Sequence, residues 1–202
     1  MLFTDISQLV ATYPVNKNLT LSRLTPFVES AELTYILPII GQAQYDDLIA
    51  AIDGTPTPAQ DKLLVQVRRA LAFYTIYEAA PHFMTMFSEM GLQEQQSREG
   101  TSNVPRQWIT IQQREECLKS GDRFADQILI FLENNKADYS AWTGSDAYTE
   151  YRGSFIKTTA DYQKHVNINS SRRMFLALQP FITLAATSYI ADCISNTLYA
   201  DL

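Results

Sequence analysis

Glu78 and His82 lie four residues apart inside the most apolar stretch of the chain, Ala70 to Phe87, so a helix there puts a carboxylate and an imidazole on one face. Such a pair could ligate a metal or move a proton. A di-iron bundle, however, needs Glu-x-x-His twice plus two further glutamates, and the chain carries no such motif. His82 and His165 are the only imidazoles and Cys117 and Cys193 the only thiols, with no spacing that suits a four-ligand zinc site. The expectation is a buried hydrogen-bonded pair, with a small-ligand, metal or enzyme site near Glu78 and His82 as the alternative. Cys117 follows Glu115 and Glu116, whose charge disfavours the thiolate that a nucleophile needs. Asp46 and Asp47 fall on a solvated helix face. The seven glycines are too scattered for a phosphate-cradling loop, which excludes that mode of nucleotide binding. The aromatic run from Tyr139 to Tyr162 could line a sugar site, although aromatics equally pin a long connection to a body. No catalytic residue, metal or cofactor is expected.

The elements that would position these groups read as helices. Asp5 to Thr12 makes a short one. Leu24, Phe27, Val28, Ala31 and Tyr35 form an apolar stripe that Pro38 and Gly41 end or bend, and a further helix runs from Gln42 to Ile52. Thr57-Pro58-Ala59-Gln60 matches a capping box with proline at the first helical position, and opens a long helix that is apolar nearly all round by Phe87, kinked at Pro81. That helix belongs at the centre of a bundle. Gly91 to Asn103 is polar and expected to be a mobile loop. A second long helix, Arg106 to Asn134, places Trp108, Ile111, Leu118, Ala125, Leu129 and Leu132 on one face. Residues 135–169 read as an irregular connection with one short helix, and a last helix starts near Ser170. The fold class is therefore all-α, a single helical domain over residues 1–202.

An internal echo cuts across this order. Leu24 to Leu48 aligns without a gap on Leu178 to Leu202, 154 positions later, with ten of 25 pairs identical, among them Pro26/Pro180, Phe27/Phe181, Ala31/Ala185, Tyr35/Tyr189 and Ile36/Ile190. Two such copies should pack in related positions around the central helix. Because Asp192 and Ser195 stand where the first copy has Pro38 and Gly41, the second copy should continue as one helix.

The net charge of −6 argues against general nucleic-acid binding. Arg152 to Arg173 departs from it, with Arg152, Lys157, Lys164, Arg172 and Arg173 against Asp161 alone. These five cations are the candidate partner-binding residues. Met1 to Asp5 has no secretory pattern and Glu78, Pro81 and His82 interrupt the most apolar stretch, so a cytosolic protein with no membrane span and reduced thiols is expected.

Leu2-Phe3, Thr34-Tyr35-Ile36-Leu37-Pro38-Ile39-Ile40-Gly41-Gln42-Ala43-Gln44-Tyr45, Phe131-Leu132-Glu133, Phe155-Ile156 and Ser171-Arg172-Arg173-Met174-Phe175 occur in that order. The chain thereby resembles an uncharacterised family encoded in phages and prophages of gut anaerobes. In size and helical make-up it is similar to phage head–tail connector (adaptor) proteins. The resemblance implies a structural, non-enzymatic subunit that oligomerises with itself and meets portal or tail components, made in the bacterial cytoplasm and carried in the virion. It implies no cofactor, and the overall acidity together with the absence of an Arg- and Lys-rich recognition helix disfavours sequence-specific nucleic-acid binding.

Overall fold

The computed structural model describes residues 1–15, 19–88, 91–94, 107–190 and 193. After α1 (Ile6–Val10), capped by Asp5, come α2 (Leu21–Ala31), a π-turn over Glu32–Ile36, α3 (Leu37–Ile40) and α4 (Gln42–Asp53). Two long helices follow, α5 (Pro58–Met84) and α6 (Gln107–Asn134). The chain then winds through a 3-10 turn (Lys136–Asp138), α7 (Ser140–Thr143), α8 (Asp146–Gly153) and α9 (Thr159–Gln163) into α10 (Arg172–Ala185) and a second π-turn over Ala186–Ile190. The fold is all-α, as expected. The hairpin among the described residues pairs β1 (Thr85–Ser88) with β2 (Gly91–Glu94), antiparallel. The central helix thus stops at Met84 rather than Phe87, and the start of the expected loop is a strand; the remainder of that loop lies outside the described residues.

The capping box forms as read: Thr57 N–H donates to Gln60 Oε1 at 2.9 Å and Gln60 N–H to Thr57 Oγ1 at 3.3 Å. From there α5 runs through the middle of the molecule. Leu63, Leu64, Val67, Ala70, Leu71, Ala72, Tyr74 and Ala79 are buried along it, and α2 and α6 pack on either side. One contiguous apolar cluster unites these residues with Leu2, Phe3, Leu24, Val28, Ile36, Ile40, Leu129, Leu132 and Trp142. Each fully buried aliphatic or aromatic side chain contributes about 1.5–3 kcal/mol.

The start of α6 departs from the reading. Trp108 is 59 % exposed and Ile111 is exposed with it, because the packing of α6 begins about two and a half turns after Trp108, at Cys117. The connection after α6 is more helical than expected, and its aromatics do pin it to the body. Trp142 is fully buried, donates its indole N–H to the Ile39 carbonyl at 3.3 Å and lies 4.7 Å from the Tyr148 ring. Tyr139 donates to the Ala59 carbonyl at 2.8 Å. The turn Gly41 requires glycine twice over: its φ is +75°, and a Cβ there would sit 2.8 Å from Ser145.

Candidate functional site

Glu78 and His82 occupy one face of α5 but do not bond to each other. Tyr35, carried by the first π-turn, stacks on Tyr74 with centroids 4.2 Å apart and donates its hydroxyl to Glu78 Oε1 at 2.7 Å. His82 is exposed, its ring 5.0 Å from that of Phe27. The expected buried pair is thus replaced by a Tyr–Glu bond and a surface stacking contact, because α2 and its π-turn lie across this stretch of α5. Among the described residues no group of three or more His, Cys, Asp or Glu could hold a metal ion. Burial pushes the Cys117 thiol up, and Glu116 adds to the effect.

The buried chemistry gathers elsewhere, where α6 receives the root of α10. Asp122 and Asp126, one turn apart on α6, are buried. Asp122 accepts the Tyr74 hydroxyl at 2.8 Å and the Arg172 N–H at 3.0 Å; Asp126 accepts the Arg172 guanidinium at 2.5 Å and the Thr159 hydroxyl at 3.3 Å. Burial raises both carboxyls above the usual range, while their hydrogen bonds and the arginine pull them back. Beside them Gly121 lies against the Tyr74 ring, and a Cβ there would come within 2.7 Å of the ring carbon Cε1. The chain reaches this root through two consecutive left-handed residues, Asn169 and Ser170, held where Gln163 Oε1 accepts the Ile168 and Ser170 N–H groups at 2.9 Å each. Ser171 then caps α10 through the Met174 N–H.

The five candidate cations therefore divide. Arg172 is 9 % exposed and committed to Asp126, which corrects its assignment as a partner contact: a buried guanidinium in an ion pair is not offered to a partner. Lys164 is exposed but paired with Asp161 at 2.7 Å. Lys157 reaches over the Tyr151 ring at 5.9 Å, and Arg173, exposed, over the Tyr77 ring at 5.8 Å. Arg152 is exposed in the last turn of α8.

Beyond its root, α10 leaves the body. It meets α6 and α9 through its first turns, with Phe175 buried and 5.9 Å from the Tyr162 ring, and Gln179 meeting the Ser154 hydroxyl at 2.9 Å. An open cleft of about 500 Å³ lies between it and the body, lined by Ile39, Leu129, Tyr151, Phe175, Gln179 and Pro180 among others. The outward face is apolar and uncovered among the described residues: Met174 is 53 % exposed, Phe181 67 %, Leu184 62 % and Tyr189 74 %. The two copies of the echo consequently do not occupy related positions. α2 lies along α5, whereas α10 stands on α6 and α9. The second copy is not a plain helix either, since the π-turn at 186–190 repeats that at 32–36 at the same 154-residue offset; the rest of the second copy, except Cys193, lies outside the described residues. Composition offered a signal for this face that charge counting missed: Met174 to Ile190 contains no charged residue.

No helix among the described residues is long and apolar enough to cross a membrane. Residues 36–152, more than half of the chain, match the family of unknown function DUF6712, and the chain belongs to that family. No curated protein and no solved structure matches it.

Proposed function

We propose that this chain is a non-catalytic assembly subunit that works by oligomerising, in the setting its sequence resemblance implies: a phage or prophage head–tail connector made in the bacterial cytoplasm and built into the virion. The supporting observation is the outward face of α10. A helix anchored at its root by a buried ion pair, yet exposing Met174, Phe181, Leu184 and Tyr189 along its length, is shaped for burial against a partner rather than for solvent. The body supplies a rigid mount, because Tyr74, Asp122 and Arg172 tie α5, α6 and α10 together. Arg152, Lys157 and Arg173 are the cations left to meet portal or tail components at the polar rim of such a contact.

Sequencing the DNA that flanks the gene tests the setting. Portal, capsid and tail genes in packed order are the expected neighbours; metabolic or transport genes would overturn the reading.

A further inference from the structure

The outward face of α10 carries copies of two aromatics that the same chain packs against α5. Pro26 and Pro180 sit inside their helices at matching positions, the helices end at Ala31 and Ala185, and both pass into π-turns. In the first copy Phe27 packs against His82 and Phe83, and Tyr35 stacks on Tyr74, all of them residues of α5. Phe181 and Tyr189 repeat these two aromatics at the same spacing and meet solvent. In the first copy α5 half-covers these two aromatics, whereas Met174 and Leu184 stand where that copy has the exposed Thr20 and Ser30 and so add apolar surface that it lacks.

Direct replacement of α2 by α10 in another copy does not fit. Glu32 is buried and accepts the Leu2 N–H at 2.5 Å and the Tyr45 hydroxyl at 2.7 Å; the matching residue is Ala186, which would leave both donors without their acceptor. The covering helix must lie elsewhere. Met174, Ala177, Phe181, Leu184 and Ser188 follow one another at steps of three, four, three and four, the spacing of a seam between two packed helices, with the small Ala177 allowing close approach. No charge occurs from Met174 to Ile190, so two such faces meet without repulsion, whereas a strongly charged partner surface would find nothing to pair with. The four large side chains on the face expose on the order of 500 Å² per copy, most of the roughly 800 Å² per partner that a stable interface buries.

We propose that the occupant is a second copy of this chain, and that α10 with its π-turn pairs with its counterpart along the Met174–Phe181–Leu184–Tyr189 face about a two-fold axis. This rests on the reading of the chain as an assembly subunit and names the contact with which assembly begins. The two-fold follows from the use of one self-complementary face on both copies.

The test is the mass of the full chain by sedimentation equilibrium, for the wild type, for the double variant Phe181→Asp/Leu184→Asp, and for Phe181→Leu. The expected result is a doubling of the 22.9 kDa protomer mass in the wild type and in Phe181→Leu, and a return to protomer mass in the double variant with unchanged circular dichroism. Both substituted side chains are exposed, so the fold should survive, and Phe181→Leu separates loss of an apolar contact from loss of a particular ring. A wild type and double variant of equal higher mass would overturn the α10 contact and leave the assembly reading standing. A wild type of protomer mass throughout would overturn it, as would α10-dependent flotation with phosphatidylcholine vesicles, which would make lipid the occupant. Flanking metabolic genes would defeat the virion setting without touching this result.

Discussion

Residues 21–36 and 175–190 take the same backbone path and meet different fates. In the first, Leu24, Val28, Ala31 and Ile36 are buried; in the second, the matching Leu178, Ile182 and Ile190 are only half-covered and Ala185 is exposed. Both carry an internal proline, which removes one backbone donor, and both widen into a π-turn six residues after it. The first turn closes with the Leu37 N–H on the Glu32 carbonyl and is followed by Pro38, but the second forms without a proline at the matching position, Asp192. The winding is therefore written locally, in the residues the copies share, since their tertiary surroundings differ. Burial is not local. It depends on whether a partner helix stands opposite, and α5 does so only for the first copy.

The hardest blow to the second copy falls at its root. Arg172→Ala leaves Asp126 buried without its cation and should destabilise the protein by about 3–5 kcal/mol, read as a shift in the urea midpoint. A loss below about 1 kcal/mol would mean that α10 is not anchored there. Next comes the matched pair Leu24→Ala and Leu178→Ala. The first empties a fully buried site and should cost about 3 kcal/mol, the second under about 1 kcal/mol in the protomer; equal losses would erase the contrast. A finer comparison is Tyr35→Phe against Tyr189→Phe. Removing the hydroxyl that Glu78 accepts should cost about 1 kcal/mol, while the exposed Tyr189 should lose nothing measurable.

The smallest effect is one of pH. Asp122 has a folded-state pKa above its unfolded value, so the native state holds the proton more tightly. Its contribution to stability accordingly rises as pH falls through the raised folded value and is complete below the unfolded one. Asp122→Asn abolishes that titration. The stability of wild type minus variant should therefore increase as pH is lowered from neutrality, the reverse of the trend expected from Asp161, whose pKa is lowered by Lys164 and Thr158.

Much of the body was legible because its signals are short-range. The capping box at Thr57 and Gln60 involves one helical turn, and the apolar faces of α2 and α5 announce themselves by spacing. Glu78 and His82 were correctly placed on one face, yet what each would touch depended on Tyr35 and Phe27, some fifty residues away, as did their failure to pair. Nothing in the sequence around Asp122 and Asp126 marks them as buried; their partner Arg172 arrives from the far end of the connection. Charge counting put Arg172 on the surface for the same reason: a buried arginine is recognised by its partners, which the sequence does not bring together. The face of α10 was legible as apolar. That it would stand exposed was not.

The clamp at Arg172 also settles how the molecule would bear a mechanical load. A pull on α10 is shared between Gln179, bonded to Ser154, and the guanidinium and backbone N–H of Arg172, from which it passes to two carboxylates one turn apart on α6 and through the Tyr74 hydroxyl to α5. The route through Arg172 thus leads part of the tension into the stiff centre of the bundle and relieves the short helices between residues 135 and 171.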